Sequence, residues 1–204
     1  DKYLFEGNIR RDGSSRFHKN HRWGTFPSFS LGWRISEENF LKSVKWINMM
    51  KLRFSWGALG NNAVDNYEYQ SVYNKDNYIL GNAVMQGLAQ TQLANAMVSW
   101  ETTYVTNIGL DFNLFGSKLD GTIDVFNKDT RDILIDLPAP LLVGNASIPT
   151  QNAARVRNKG IEMNLKWNHK IGKVDYFVGG NFTFIDNEVT RFKGEERSIT
   201  GTNM

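Results

Sequence analysis

The stretch WETTYVTNIGLDFNL, Trp100–Leu114, decides the fold. Its even positions read Trp100, Thr102, Tyr104, Thr106, Ile108, Leu110, Phe112 and Leu114, against odd positions Glu101, Thr103, Val105, Asn107, Gly109, Asp111 and Asn113. Successive side chains of a strand point to opposite faces, so this is an extended segment with one apolar and one polar face. Strands of soluble domains usually run about 5–6 residues. A tilted strand crossing a bilayer needs about 9–11, with lipid on one side and an aqueous lumen on the other. The length of this run fits the bilayer.

Two further runs of the same kind lie at Gly160–Ile171 and Val174–Ile185, and the whole chain divides on this pattern. Strands are predicted at Lys2–Arg10, Phe26–Ile35, Lys51–Leu59, Trp100–Phe115, Leu119–Asp132, Val156–Ile171 and Val174–Glu188. Leu119–Asp132 is the least regular, because Phe126 falls on its polar face. The connections alternate in length: Arg11–Thr25 long, Ser36–Met50 medium, Gly60–Ser99 long, Gly116–Lys118 short, Ile133–Arg155 long, Gly172–Lys173 short. Outer-membrane barrels keep short turns at the periplasm and long loops outside. The medium connection is explained by a short amphipathic helix after the start signal Ser36-Glu37-Glu38. With that orientation Trp33, Trp167 and Tyr176 fall near the periplasmic rim, and Trp100 and Tyr104 near the outer rim, where aromatic girdles are expected.

The fold class expected is therefore all-β: an antiparallel transmembrane β-barrel segment of about seven strands, with long extracellular loops and short periplasmic turns. A soluble two-sheet sandwich is the competing architecture. Mean hydropathy is −0.43. That value does not exclude a barrel, since half of each barrel strand faces water.

Composition narrows the chemistry. The 204 residues carry 24 basic and 21 acidic side chains and no cysteine. The balance gives no basic footprint for nucleic acid, and disulfides and thiolate metal sites are excluded. The only histidines are His18, His21 and His169; no carboxylate cluster completes a metal site around them. The acidic residues Asp124, Asp129, Asp132 and Asp136 are spaced neither as a calcium loop nor as a catalytic pair. No catalytic residue, metal ligand or cofactor is expected, and the protein is not expected to be an enzyme.

Binding is a different matter. The connection Gly60–Ser99 is rich in amides and tyrosines, and Tyr67, Tyr69, Tyr73, Tyr78, Asn61 and Asn62 are its candidate substrate- or lid-binding residues. Aromatic rings stack on sugar C–H faces or peptide groups while amides bond hydroxyls and backbone, although an ordinary polar loop has the same composition. Arg10, Arg11, Arg16 and Arg22 crowd the first long loop, where anionic lipid headgroups or an acidic substrate are candidate partners.

Several segments, in order along nearly the whole chain, resemble the SusC/RagA family of TonB-dependent outer-membrane transporters of Bacteroidetes. They are Arg10–Phe17, Arg22–Leu41, Lys51–Asn62, Ser99–Phe115, Asp124–Pro140 and Asn152–Leu165. In the last, Asn152, Val156, Asn158, Gly160 and Glu162 match a motif of the wider receptor class. The resemblance implies a barrel of about 22 strands closed by a plug. It also implies outer-membrane localisation in a Gram-negative bacterium, energy coupling through TonB and a SusD-like surface lipoprotein as lid. Residues 1–204 would then be part of a single barrel domain from its C-terminal half, with plug and final strands outside this chain. The function it implies is active import of a bulky nutrient, a glycan or an oligopeptide. Alternatives are a siderophore or vitamin receptor, a passive porin or adhesin, and a soluble β-sandwich binding module.

Overall fold

The computed structural model describes residues 1–138, 144 and 146–193. Seven strands form one antiparallel sheet: β1 Tyr3–Gly13, β2 Trp23–Trp33, β3 Ile47–Asn61, β6 Glu101–Leu114, β7 Leu119–Ile135, β8 Gln151–Ile171 and β9 Val174–Phe192. Their spatial order is their chain order, β1-β2-β3-β6-β7-β8-β9. Two further strands, β4 Val72–Leu80 and β5 Ala83–Gln92, pair only with each other. The expected strands are all present, most of them longer than alternation alone indicated. Polar residues such as Arg11, Asn61 and Gln151 continue the ladders past the apolar runs.

Register shows why these residues make a membrane wall. One row of directly opposed residues crosses all seven strands as Tyr3, Trp33, Leu52, Leu110, Ile123, Met163 and Phe182. The next row on that face reads Phe5, Leu31, Phe54, Ile108, Val125, Ile161 and Phe184. Between them, on the other face, runs Leu4, Gly32, Arg53, Gly109, Asp124, Glu162 and Thr183. A one-residue slip would move the polar face into the apolar rows, with charge at Arg53, Asp111, Asp124 or Glu162 on β3, β6, β7 and β8, so the pattern fixes the register. Many of the apolar side chains stand exposed, among them Ile108, Val125, Ile161, Phe182 and Phe184.

Along β8 the apolar face runs from Ile161 to Ile171. Ten steps of about 3.4 Å at a tilt of about 40° give roughly 26 Å of height, close to the apolar band of a barrel. No second sheet covers this face among the described residues, and the buried cluster is only Phe17, Val64 and Val98. That arrangement overturns the sandwich, which needs two inner faces packed together. The outer edges of β1 and β9 have no partner strand among the described residues, so the sheet is open.

Ser36–Met50 corrects one expectation. It holds a 3-10 turn at Ile35–Glu37 and further turns, not an amphipathic helix. Glu38 is drawn elsewhere: its carboxylate accepts from the Tyr3 hydroxyl at 2.7 Å, the Trp33 indole N–H at 3.2 Å and the Lys2 ammonium at 3.3 Å. One turn cannot nucleate a helix against such anchors. These bonds, the one from Tyr3 foremost, hold the Glu38 carboxyl below its ordinary value. A depressed value means that the stabilisation is present above the carboxyl's ordinary titration and is lost as pH falls through the lowered one. Acidification is therefore expected to change Trp33 emission while the barrel stays assembled, and Glu38→Gln should abolish the change. An identical acid response in that variant would remove Glu38 as its source.

Candidate functional site: the outer loop cluster

The two ends of the sheet differ. At one end the chain reverses over Phe115–Lys118 and Gly172–Lys173, with Trp46 stacked on Phe115 at 5.7 Å and His169 edge-on to Tyr176 at 5.7 Å. Trp33 and Trp167 also lie at this end. The long loops all leave from the other.

On the lumen-side face, Arg53 bridges two strands. Its Nε donates to Asp111 at 2.8 Å and its Nη2 to Asp124 at 3.1 Å. Gly109 lies between them in the row, and a β-carbon there would come within 2.6 Å of the guanidinium and 2.5 Å of Asp124. Only glycine leaves room for this ion pair to cross the strand. At Gly160 a β-carbon would meet the Phe184 backbone carbonyl at 2.3 Å and the Phe126 ring at 2.9 Å. That contact explains why Phe126 departs from the alternation: it covers a glycine on the polar face.

The loops are knitted together rather than loose. Phe17 is fully buried with Val98 and Val64, and the Trp100 ring packs on Phe17 at 5.3 Å and Phe26 at 5.4 Å. Trp100 also donates its indole N–H to the Arg22 carbonyl at 3.2 Å. Trp100 is therefore the hub of the loop cluster, not a girdle residue on the lipid face. Arg16, one of the first-loop arginines with anionic lipid or an acidic substrate as candidate partners, donates to the Val64 carbonyl at 2.9 Å. Asn152, first residue of the receptor motif, holds Ser99 through both its oxygen and its nitrogen, each at 2.9 Å, and reaches the Asp132 carbonyl at 2.7 Å.

The deepest polar contact joins the two longest loops. Glu68 is 7% exposed and accepts from the Thr150 amide at 2.9 Å and the Asp65 amide at 3.3 Å. The Thr150 hydroxyl, 3.1 Å from Glu68, has its closer acceptor in Asp136 at 2.6 Å. Asn95 adds a bond from its side-chain amide to the Thr150 carbonyl at 2.9 Å. Neither Glu68 nor Thr150 stands out in the sequence; each sits in polar loop sequence without periodicity.

The six candidate residues divide. Asn61 donates to Glu101 at 3.2 Å and Asn62 to Ser14 at 2.9 Å, so both amides are engaged within the loop cluster. Tyr69 meets His18 edge-on at 6.1 Å. Tyr67 is exposed, on a left-handed backbone with φ of 66°. Tyr73 and Tyr78 are exposed on the β4–β5 hairpin, and their positions in the register put them on its opposite faces. Ile79, Leu80, Val84 and Met85 are exposed at its tip. The hairpin leaves no alternation signal in the sequence because no face of it is continuously apolar.

An open antiparallel sheet with one apolar belt, a polar inner face and loops folded at one end is the wall of a transmembrane β-barrel. The chain belongs to the TonB-dependent receptor family: the family model for the TonB dependent receptor-like β-barrel matches residues 1–204. It is 38% identical over 201 residues to TonB-dependent receptor P39 of Formosa agariphila, covering 98% of this chain and 19% of that protein. It is 35% identical over 204 residues to TonB-dependent receptor SusC of Bacteroides thetaiotaomicron, covering 97% of this chain and 20% of SusC. The solved RagAB peptide transporter superposes with a TM-score of 0.83 at 29% identity, over 94% of this chain and 21% of the transporter chain. The chain thus spans about a fifth of the length of these relatives. The SusC/RagA resemblance and the barrel fold both hold.

Proposed function

We propose that this chain supplies wall and outer-loop surface to an outer-membrane importer that takes up a bulky nutrient, an oligosaccharide or an oligopeptide, with energy delivered through TonB. The observation that carries this reading is the two-sided sheet: apolar rows for lipid, an ion-paired polar face for the lumen, and pre-folded loops at one end only. Plug, remaining wall and a SusD-like lipoprotein lid are partners of this segment, supplied from outside residues 1–204. The similarity to the RagAB peptide transporter supports the oligopeptide class. Metal chelates and vitamins are smaller cargo and would not need so large an aromatic loop surface.

Within the loops, Tyr67, Tyr69, Tyr73 and Tyr78 are the residues proposed to meet the substrate or the lid, because rigid amphipathic rings give contact area at small entropic cost. Replacing all four by Ala in the full-length receptor is expected to reduce uptake or lid association several-fold, with normal amounts of heat-modifiable barrel in the outer membrane. Wild-type uptake and lid binding in that variant would reduce the loop to a passive surface. Collapse of the proton-motive force should stop uptake; continued uptake would favour a passive porin.

A further inference from the structure

Above the apolar belt, the lipid-facing side of β7, β8 and β9 changes character. Two residues up from Ile161 and Phe184 the row carries Lys159 and Asp186, paired at 3.2 Å. The next row carries Asp129, Arg157 and Glu188. Beyond it the ladders bulge: the extra residue lies on β7 between Thr130 and Ile133, on β8 between Asn152 and Ala154, and on β9 between Val189 and Arg191. Bulges spread a ladder and re-aim side chains. Here they open a concavity of about 370 Å³ whose lining includes Arg131, Arg155 and Arg191 together with Asp132, Asn152 and Thr190.

The arginines are organised around one carboxylate. Asp129 is 6% exposed; it accepts from Arg131 Nε at 2.9 Å and from Arg155, whose Nε lies at 2.8 Å and whose second nitrogen is also bonded. Arg131 in turn lies 4.7 Å over the Tyr104 ring, which fixes it against the wall. Arg155 and Arg191 are register partners and share a face, and neither Arg157 nor Arg191 makes an ion pair among the described residues. The arginines outnumber the carboxylates Asp129, Asp132 and Glu188 that face them.

We propose that this arginine shelf binds the anionic sugar headgroup of an outer-leaflet glycolipid, its phosphate or carboxylate groups on Arg131, Arg155, Arg157 and Arg191. The inference rests on the outer-membrane reading above. Three features select a lipid-borne anion over a soluble one. The shelf opens on the lipid side, not toward the lumen; it stands directly above the apolar rows of Val125, Ile161 and Phe184, which acyl chains would cover; and guanidinium forks match phosphate and carboxylate oxygens. Basic pockets at membrane-headgroup level bind anionic lipids in this way. The cationic site thus lies on the outer wall, away from Arg16 and Arg22 of the first loop.

The test uses the full-length receptor purified in detergent, titrated with lipopolysaccharide and followed by thermal unfolding. Lipopolysaccharide should raise the melting temperature, more at low salt than at high. Arg157→Ala with Arg191→Ala leaves the Asp129 pairs intact and should weaken the lipid affinity about tenfold or more. Glu188→Gln removes an opposing charge and should tighten binding. Wild-type affinity in both variants would overturn the proposal, as would equal protection by phosphatidylethanolamine or by inorganic phosphate alone. Membrane insertion, scored separately by heat-modifiable mobility, distinguishes the two readings. An inserted receptor indifferent to lipopolysaccharide loses only the shelf, whereas a receptor that never inserts loses both.

Discussion

Leu110→Arg is expected to destabilise the folded receptor in a bilayer by about 2–4 kcal/mol, the cost of a cation at the membrane midplane of a barrel wall. Leu110 sits in the row with Leu52 and Ile123 as direct neighbours, midway down the apolar face. Asn107→Arg on the same strand points into the lumen, opposite Ser55, where water accommodates the charge, and should cost a small fraction of that. Asp111 would be a poor control, because an Arg there would both repel Arg53 and remove one of its two carboxylates. Urea titration of the full-length receptor refolded into vesicles measures the difference. Equal losses at 107 and 110 would mean that the faces are reversed.

The other large effect is expected at Glu68. Glu68→Ala leaves the buried Thr150 amide without its acceptor and frees the Asp65 amide, while the Thr150 hydroxyl keeps Asp136 at 2.6 Å. A buried bond to a charged acceptor contributes about 1.5–3 kcal/mol, so local stability of the loop cluster should fall by about that much. Hydrogen exchange should speed up at the Thr150 and Asp65 amides and through β4–β5, while the β6–β9 amides keep their protection. Unchanged exchange at Thr150 would show that the loops hold together without Glu68. Loss of protection throughout the sheet would show that the loops and the wall are one cooperative unit.

What the sequence discloses follows from what each residue senses. Wall strands alternate because each lies between two media, and that contrast is strong enough to place Trp100–Leu114 on residue spacing alone. Phe126 broke the pattern because its partner is Gly160, a neighbour far along the chain that no local pattern reports. Trp100 obeyed the alternation and still turned into the loop cluster: β6 begins one residue later, at Glu101, so strand phase no longer governs it. The loops were readable in composition only. Asn61, Asn62 and Glu68 look alike as polar loop residues, and long-range partners alone reveal that they build the cluster. The β4–β5 hairpin escaped for a related reason, since both its faces meet a polar surrounding and neither imposes a period.

The place where that hairpin leaves the wall has an evolutionary consequence. β3 and β6 are neighbours in the sheet although β4 and β5 intervene in the chain, and Asn61 at the end of β3 lies directly opposite Glu101 at the start of β6. The whole intervening segment therefore departs from and returns to a single rung of the ladder. Its two attachment points are held together by the wall whatever the insert contains, and a longer or shorter insert costs little loop-closure entropy. The lipid-facing rows can thus stay as they are while the insert changes, provided that its anchors in the neighbouring loops, Phe17, Ser14 and Thr150, change with it.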